Sequence, residues 1–158
     1  MAVKLLEKVA KLLEKKEFVY VATCNLNSEP HAIPKFFLKT ENNSIYLADF
    51  IISQMYDNLK VNPKASVTVM DHDTLHGYRL NGSVSIIEQG PEFDQMVKEL
   101  RQKQMSLTIE RVVRAVQTGV KHENFELAFP DKLAIFKIHV EIVTEVSPRG
   151  KLHREKVS

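Results

Sequence analysis

Asp71, His72, Asp73 and His76 fall within one short run, and carboxylates with imidazoles at such spacing are the donor types that hold a divalent cation. The same run, Asp71-His72-Asp73-Thr74-Leu75-His76, has the polarity of a solvated turn between strands. With no further ligand nearby in sequence, it is read as that turn. Cys24 would be a nucleophile if a neighbouring base lowered its pKa, but it ends an apolar run and reads as a small core residue. His139 sits inside a long apolar stretch, where a hydrogen-bonded structural role fits better than catalysis. Arg149, Lys151, His153, Arg154 and Lys156 could hold an anion, although a basic run near a terminus is ordinarily solvated. Two further positions point to a ligand. Pro34 removes an amide donor from the middle of an apolar run, which asks for a sheet edge, a bulge or a place where a ligand replaces the ladder. Ser53 stands where a helix begins directly after a strand, so unpaired amides are aimed past the strand end.

The elements that carry these residues are legible from periodicity. Apolar positions 2, 5, 6, 9, 12 and 13 follow a helical repeat with Lys and Glu on the other face. Phe18 to Cys24 is β-branched and aromatic on both alternations, as a strand buried on both faces would be. His31 to Leu38 and Ile45 to Ala48 read as the next two strands of an antiparallel meander, separated by the turn Glu41-Asn42-Asn43-Ser44. Ser53 to Val61 reads as a short helix stopped by Asn62-Pro63. Lys64 to Met70 alternates, and Gly77 to Glu88 contains a strand broken by Asn81-Gly82. Gly90-Pro91-Glu92 opens a helix with Phe93, Met96, Val97 and Leu100 on one face. A second helix is expected over Ile109, Val112, Val113 and Val116, capped by Ser106 or Thr108 and stopped at Gly119. After a loop around His122 to Phe129, Leu133 to Val143 is the longest strand, and the tail from Ser147 to Ser158 is expected to fray.

Composition sets the outer limits. At 158 residues the chain has the length of one domain, and Leu, Ile, Val and Phe make up about a third of it, enough for a packed core without disulfides or a structural metal. The net charge of +2 is spread over interspersed residues, so nucleic acid and membrane are not expected partners. Neither a membrane span nor a signal peptide is read, and a cytoplasmic location is expected. There is no GxGxxG, Walker A, GxSxG, HExxH or CxxC pattern. Six short strands with peripheral helices fit an antiparallel barrel better than a parallel sheet.

The order of helix, strand, Glu29-Pro30-His31-x-x-Pro34, Ile45-Tyr46-Leu47-Ala48, Ser53-(x)4-Asn58-Leu59-x-x-Asn62-Pro63-x-x-Ser66-Val67 and Asn81-Gly82-Ser83-Val84 resembles the pyridoxamine 5'-phosphate oxidase-like, FMN-binding split-barrel family. Within it, Gly90-Pro91-Glu92-Phe93 is most similar to the small FMN-binding proteins. The resemblance covers about Leu5 to Leu100 and implies a mainly β fold with peripheral helices, an antiparallel six-stranded split β-barrel. The domain expected is residues 1–146, with a helical insertion over 102–124 and a basic tail at 147–158. The resemblance further implies a homodimer with FMN at the subunit interface. Pro34, Lys35, Phe36 and Phe37 would run beside the flavin ring, and Asp49, Phe50, Ser53, Gln54 and Met55 would lie near the phosphate. Family members usually carry Lys or Arg at or beside positions 54 and 55, where this chain has Gln54 and Met55. Lys35 is the nearest residue to supply that charge. The function implied is that of a flavin oxidoreductase or electron-transfer protein. The alternatives are a non-catalytic flavin binder, or a holder of deazaflavin or haem in the same groove.

Overall fold

The computed structural model describes residues 2–50, 53–120, 132–150 and 152–157. The chain is mainly β: among the described residues, a closed six-stranded antiparallel barrel with a seventh strand outside it and three helices. The elements run α1 (Ala2–Glu14), β1 (Phe18–Cys24), β2 (Pro30–Glu41), β3 (Ser44–Asp49), α2 (Gln54–Val61), β4 (Lys64–Asp71), β5 (His76–Ile87), α3 (Pro91–Thr118), β6 (Ala134–Val146) and β7 (Leu152–Lys156). The spatial order is β3-β2-β1-β4-β5-β6-β7, and pairing of β3 with β6 closes the barrel.

Closure uses half of a strand. Residues 134–139 of β6 pair with β3, whereas residues 142–146 pair with β7. One strand therefore serves the barrel along its first half and an added edge along its second. The tail expected to fray is thus a paired strand from Leu152 to Lys156, and Val157 beyond it packs against the barrel core. Alternation of Leu152, Arg154 and Lys156 against His153 and Glu155 gives this polar segment a strand's two faces, which its composition hid.

Asn81-Gly82 does not break β5, which runs on from His76 to Ile87; the extra residue of a bulge, Glu141, lies opposite on β6. The β5–β6 register shifts between these two residues, and a Cβ on Gly82 would stand 1.9 Å from the carbonyl oxygen of His139. Only glycine admits that approach. The helices differ from expectation as well: Pro91 to Thr118 form one helix of 28 residues, where two were expected. Ser106 is interior to it and its hydroxyl donates to the carbonyl of Gln102 rather than capping an N-terminus. Gly90 and Pro91 start it and Gly119, left-handed at φ 69°, ends it, both as read from sequence. Residues 121–124 of the expected insertion, the loop from His122 to Phe129, and Lys151 lie outside the described residues.

Two apolar clusters hold the molecule. Inside the barrel, Val19, Val21, Phe37, Leu47, Val67, Leu80, Phe136 and Ile138 meet, with Leu13 of α1 and Met55 and Leu59 of α2 plugging in. Between the barrel wall and the first half of α3, Phe36, Leu38, Tyr46, Ala48 and Ile135 pack against Met96 and Leu100. Residues 35 to 38 of β2 are consequently buried on both faces.

Candidate functional site

Pro34 lies where a strand tolerates it. β2 pairs with β1 along residues 30–36 but with β3 only from Phe36 onward, so the first half of β2 has one free edge. Pro34 is exposed there, in register with Tyr20. On the inward face of the same half-strand come His31, Ile33 and Lys35, opposite Thr23, Val21 and Val19.

Lys35 reaches inward to Asp49, the last residue of β3, and the two form a buried ion pair in which Lys35 is 5% and Asp49 0% exposed. The pair cancels its own charge. The lysine expected to supply charge to a phosphate is committed to a carboxylate, and the negative charge of Asp49, which would oppose a phosphate, is neutralised. Its other oxygen, Oδ2, is buried without a hydrogen-bond partner.

Four residues later, Ser53 takes the N-cap position of α2 with extended backbone, and its side chain accepts no capping hydrogen bond from the helix amides. Its hydroxyl is buried and unpartnered, as is Nδ1 of His31. Three of the six buried polar side-chain atoms without a partner among the described residues therefore belong to His31, Asp49 and Ser53, all at the α2 end of β2 and β3. Orphaned polar atoms are rare in packed proteins, and a cluster of them marks a place where a polar ligand group would complete the bonding. Asn58 of α2 donates to the hydroxyl of Thr23 at 3.2 Å, and Asn62 donates to the carbonyl oxygen of Cys24 at 3.2 Å, fixing the helix to β1. These two bonds explain the Asn-(x)3-Asn spacing.

The remaining expected residues divide. Gln54 is exposed at the helix start and Phe50 is half-buried, edge-on to Phe36 at 5.7 Å between centroids. Met55 is fully buried in the barrel core, Phe37 lies in the same core and Phe36 lies under α3. These three back the site rather than face it. His31 was not among the residues singled out from sequence, although its spacing of four from Lys35 along a strand places both on one face.

Lys103 of α3 donates to the carbonyl oxygens of Phe37 and Leu38, at the bulge where the β2–β3 register shifts, and lies over the Phe37 ring at 4.4 Å from its centroid. Burial pulls its pKa below the ordinary lysine value. A cavity of about 230 Å³ lies at the other end of β3, between α1 and the β2–β3 turn, lined by Val9, Leu13, Ile45, Leu80 and Val140. It shares no residue with the polar cluster.

The other chemical candidates resolve into structure. Asp71 accepts the amide of Asp73 in the β4–β5 turn, and His76 bonds Glu145 at 2.9 Å. Among the described residues, no three His, Cys, Asp or Glu side chains gather as metal ligands. Cys24 Sγ accepts from Asn62 at 3.2 Å, and His139 is exposed on β6. No described helix is long and apolar enough to cross a membrane.

Comparison with known proteins places this geometry. No curated protein sequence matches the chain. The fold is shared with a Clostridium acetobutylicum protein related to general stress protein 26 of Bacillus subtilis, of the pyridoxinephosphate oxidase family, at TM-score 0.65 and 18% identity over 98% of this chain and 95% of that one. A pyridoxamine 5'-phosphate oxidase-related, FMN-binding protein from Nostoc punctiforme matches at TM-score 0.59 and 13% identity, with the same shares covered. A haem-binding protein from Mycobacterium smegmatis matches at TM-score 0.62 and 14% identity over 95% of this chain and 57% of that one. The sequence model described as pyridoxamine 5'-phosphate oxidase matches residues 5–146, from α1 to the end of β6, and so takes in the whole barrel together with the polar cluster at its α2 end. By that match the chain belongs to the pyridoxamine 5'-phosphate oxidase family.

Proposed function

We propose that the chain is an FMN-binding flavoprotein that works as a cytoplasmic homodimer in oxidoreduction or electron transfer. The observation that carries this reading is the unpartnered hydroxyl of Ser53 at the start of α2, beside free helix amides, because a phosphate at a helix N-terminus would satisfy both. Family membership and the FMN-binding relative support it.

In this reading FMN, when bound, supplies the one- and two-electron chemistry. Ser53 donates its hydroxyl, and the exposed amide side chain of Gln54 adds a neutral donor. The Lys35–Asp49 pair contributes a dipole rather than net charge, so the site holds the phosphate through neutral donors. Pro34 offers a flat apolar surface on the free half-edge of β2, and Phe50 borders it, while Phe36, Phe37 and Met55 pack behind.

Haem in the same groove is a second reading. It rests on His31, the one imidazole among the described residues with a buried, unpartnered ring nitrogen, and on the haem-binding relative. The absorption spectrum of the purified protein separates the two readings. A two-band flavin spectrum is expected, released as FMN on denaturation and weakened by Ser53→Ala. A Soret band that Ser53→Ala leaves alone and His31→Ala removes would replace flavin by haem.

A further inference from the structure

We infer that the outer face of β5, β6 and β7 carries a second site, for the phosphoryl group of a small soluble molecule. One cross-strand row on that face reads Thr68, Arg79, Thr144 and Arg154, each directly opposite the next. The two arginines flank Thr144, about 10 Å apart at the backbone, which is two strand spacings and within reach of side chains of this length to converge. Lys156 and Asn81 stand in the adjacent row, either side of Ile142.

The charge on this face is uncompensated. Among the described residues no carboxylate pairs with Arg79, Arg154 or Lys156. Every carboxylate on β6 and β7 is engaged elsewhere: Glu141 with Lys64, Glu145 with His76 and Glu155 with His153. Natural surfaces intersperse charge, so two guanidinium groups and an ammonium gathered without an acid are a built anion field.

Thr144 supplies the independent observation. It is only 4% exposed, yet its hydroxyl has no hydrogen-bond partner, and its neighbours in register on that face are the two arginines. A buried hydroxyl left unpaired between two cations is completed by an acceptor arriving between them. Two planar forks and a hydroxyl approaching from below match a tetrahedral oxyanion better than a planar carboxylate. The site depends on β7, which gives the basic tail a role beyond solvation. It is separate from the polar cluster at α2, and it stands whether or not flavin binds there.

The test is calorimetric titration of the full chain with inorganic phosphate, inorganic pyrophosphate and acetate at constant ionic strength. Saturable one-site binding of phosphate and pyrophosphate is expected, with none of acetate. Arg79→Gln and Arg154→Gln should each weaken pyrophosphate about tenfold or more, the loss of one charge-assisted contact. Thr144→Val should weaken it severalfold while leaving the melting temperature equal or higher, a split that a merely structural threonine would not show. Lys98→Gln, an exposed change on α3, should do nothing. Equal binding of acetate, an undiminished affinity in the Arg79→Gln/Arg154→Gln double variant, or an equal loss in Lys98→Gln would overturn the site. Circular dichroism confirms that each variant is folded, and Arg79, on a barrel strand, keeps the test independent of β7 pairing.

Discussion

At the residue scale, burial decides what positions 54 and 55 can do. Gln54 is exposed at the start of α2, whereas Met55 is fully buried against the barrel core. Gln54→Arg should add a charge-assisted bond of about 1.5–3 kcal/mol to a phosphate there, raising FMN affinity about tenfold or more and leaving riboflavin unchanged. Met55→Lys is expected to fail instead, because it places an ammonium inside the barrel, and its melting temperature should fall sharply. Paired fluorescence titrations with FMN and riboflavin check the first, and thermal unfolding checks the second. The Lys35–Asp49 pair makes a related prediction. Asp49→Asn strips a buried lysine of its counter-charge and should cost about 3–5 kcal/mol in denaturant unfolding, while a Lys35→Met/Asp49→Leu double variant should recover much of that. A loss of under 1 kcal/mol in Asp49→Asn would show the pair to be solvated. Sequence placed Lys35 inside a strand and Asp49 just past the end of another, but not that the two would take each other. That depends on which face of β2 meets the end of β3, a tertiary fact that neither local pattern contains.

At the element scale, the strands were legible from their β-branched and alternating residues, but the faces of β1 were not: Phe18 to Cys24 is apolar on both alternations and reads as buried on both faces, whereas Val19, Val21 and Thr23 face the barrel interior and Phe18, Tyr20 and Ala22 are exposed. β7 was not legible, since a five-residue edge strand that buries little has no apolar alternation to display. Its contribution is nonetheless measurable. Truncation after Ser147 removes the β6–β7 ladder and the contact of Val157 with the core, and is expected to cost about 1–3 kcal/mol, or several degrees in melting temperature. An unchanged melt would mean that the strand adds nothing to the barrel. α3 was misread for a different reason. Ser106 and Thr108 resemble caps in sequence, but the apolar stripe of Phe93, Met96 and Leu100 passes into a segment tied down by polar contacts, Lys103 to two β2 carbonyls and Arg111 to Glu17. Charged anchors at such spacing look the same as a solvated helix face until the bulge in β2 exposes carbonyls for one of them.

At the scale of the whole molecule, the sheet face around β1 is an outer surface that a lone copy does not cover. Phe18 is 48% and Tyr20 68% exposed; Pro34 stands opposite Tyr20, Ala22 and Ala32 face each other in the next row of that face, and all three are exposed as well. Adjacent aromatic and apolar side chains on a continuous sheet face, next to the free half-edge of β2, make a patch of the kind that marks an interface. A second copy meeting this face by a two-fold axis would bring Tyr20 close to its own symmetry mate and cover the edge beside Pro34 on both protomers. Tyr20→Glu should then place like charges against one another in the centre of the contact, and desolvating them costs more than the lost tyrosine packing alone. Because Tyr20 faces outward, the barrel core is untouched, and the variant should keep its circular dichroism and its melt while sedimenting as a monomer at micromolar concentration. The parent should sediment as a dimer. Flavin retention should fall with the dimer, since the groove beside Pro34 then loses one wall. A parent that is monomeric would remove the interface and the shared groove together. A Tyr20→Glu variant that stays dimeric would move the two-fold contact to another face and leave the exposed aromatics of β1 without a partner.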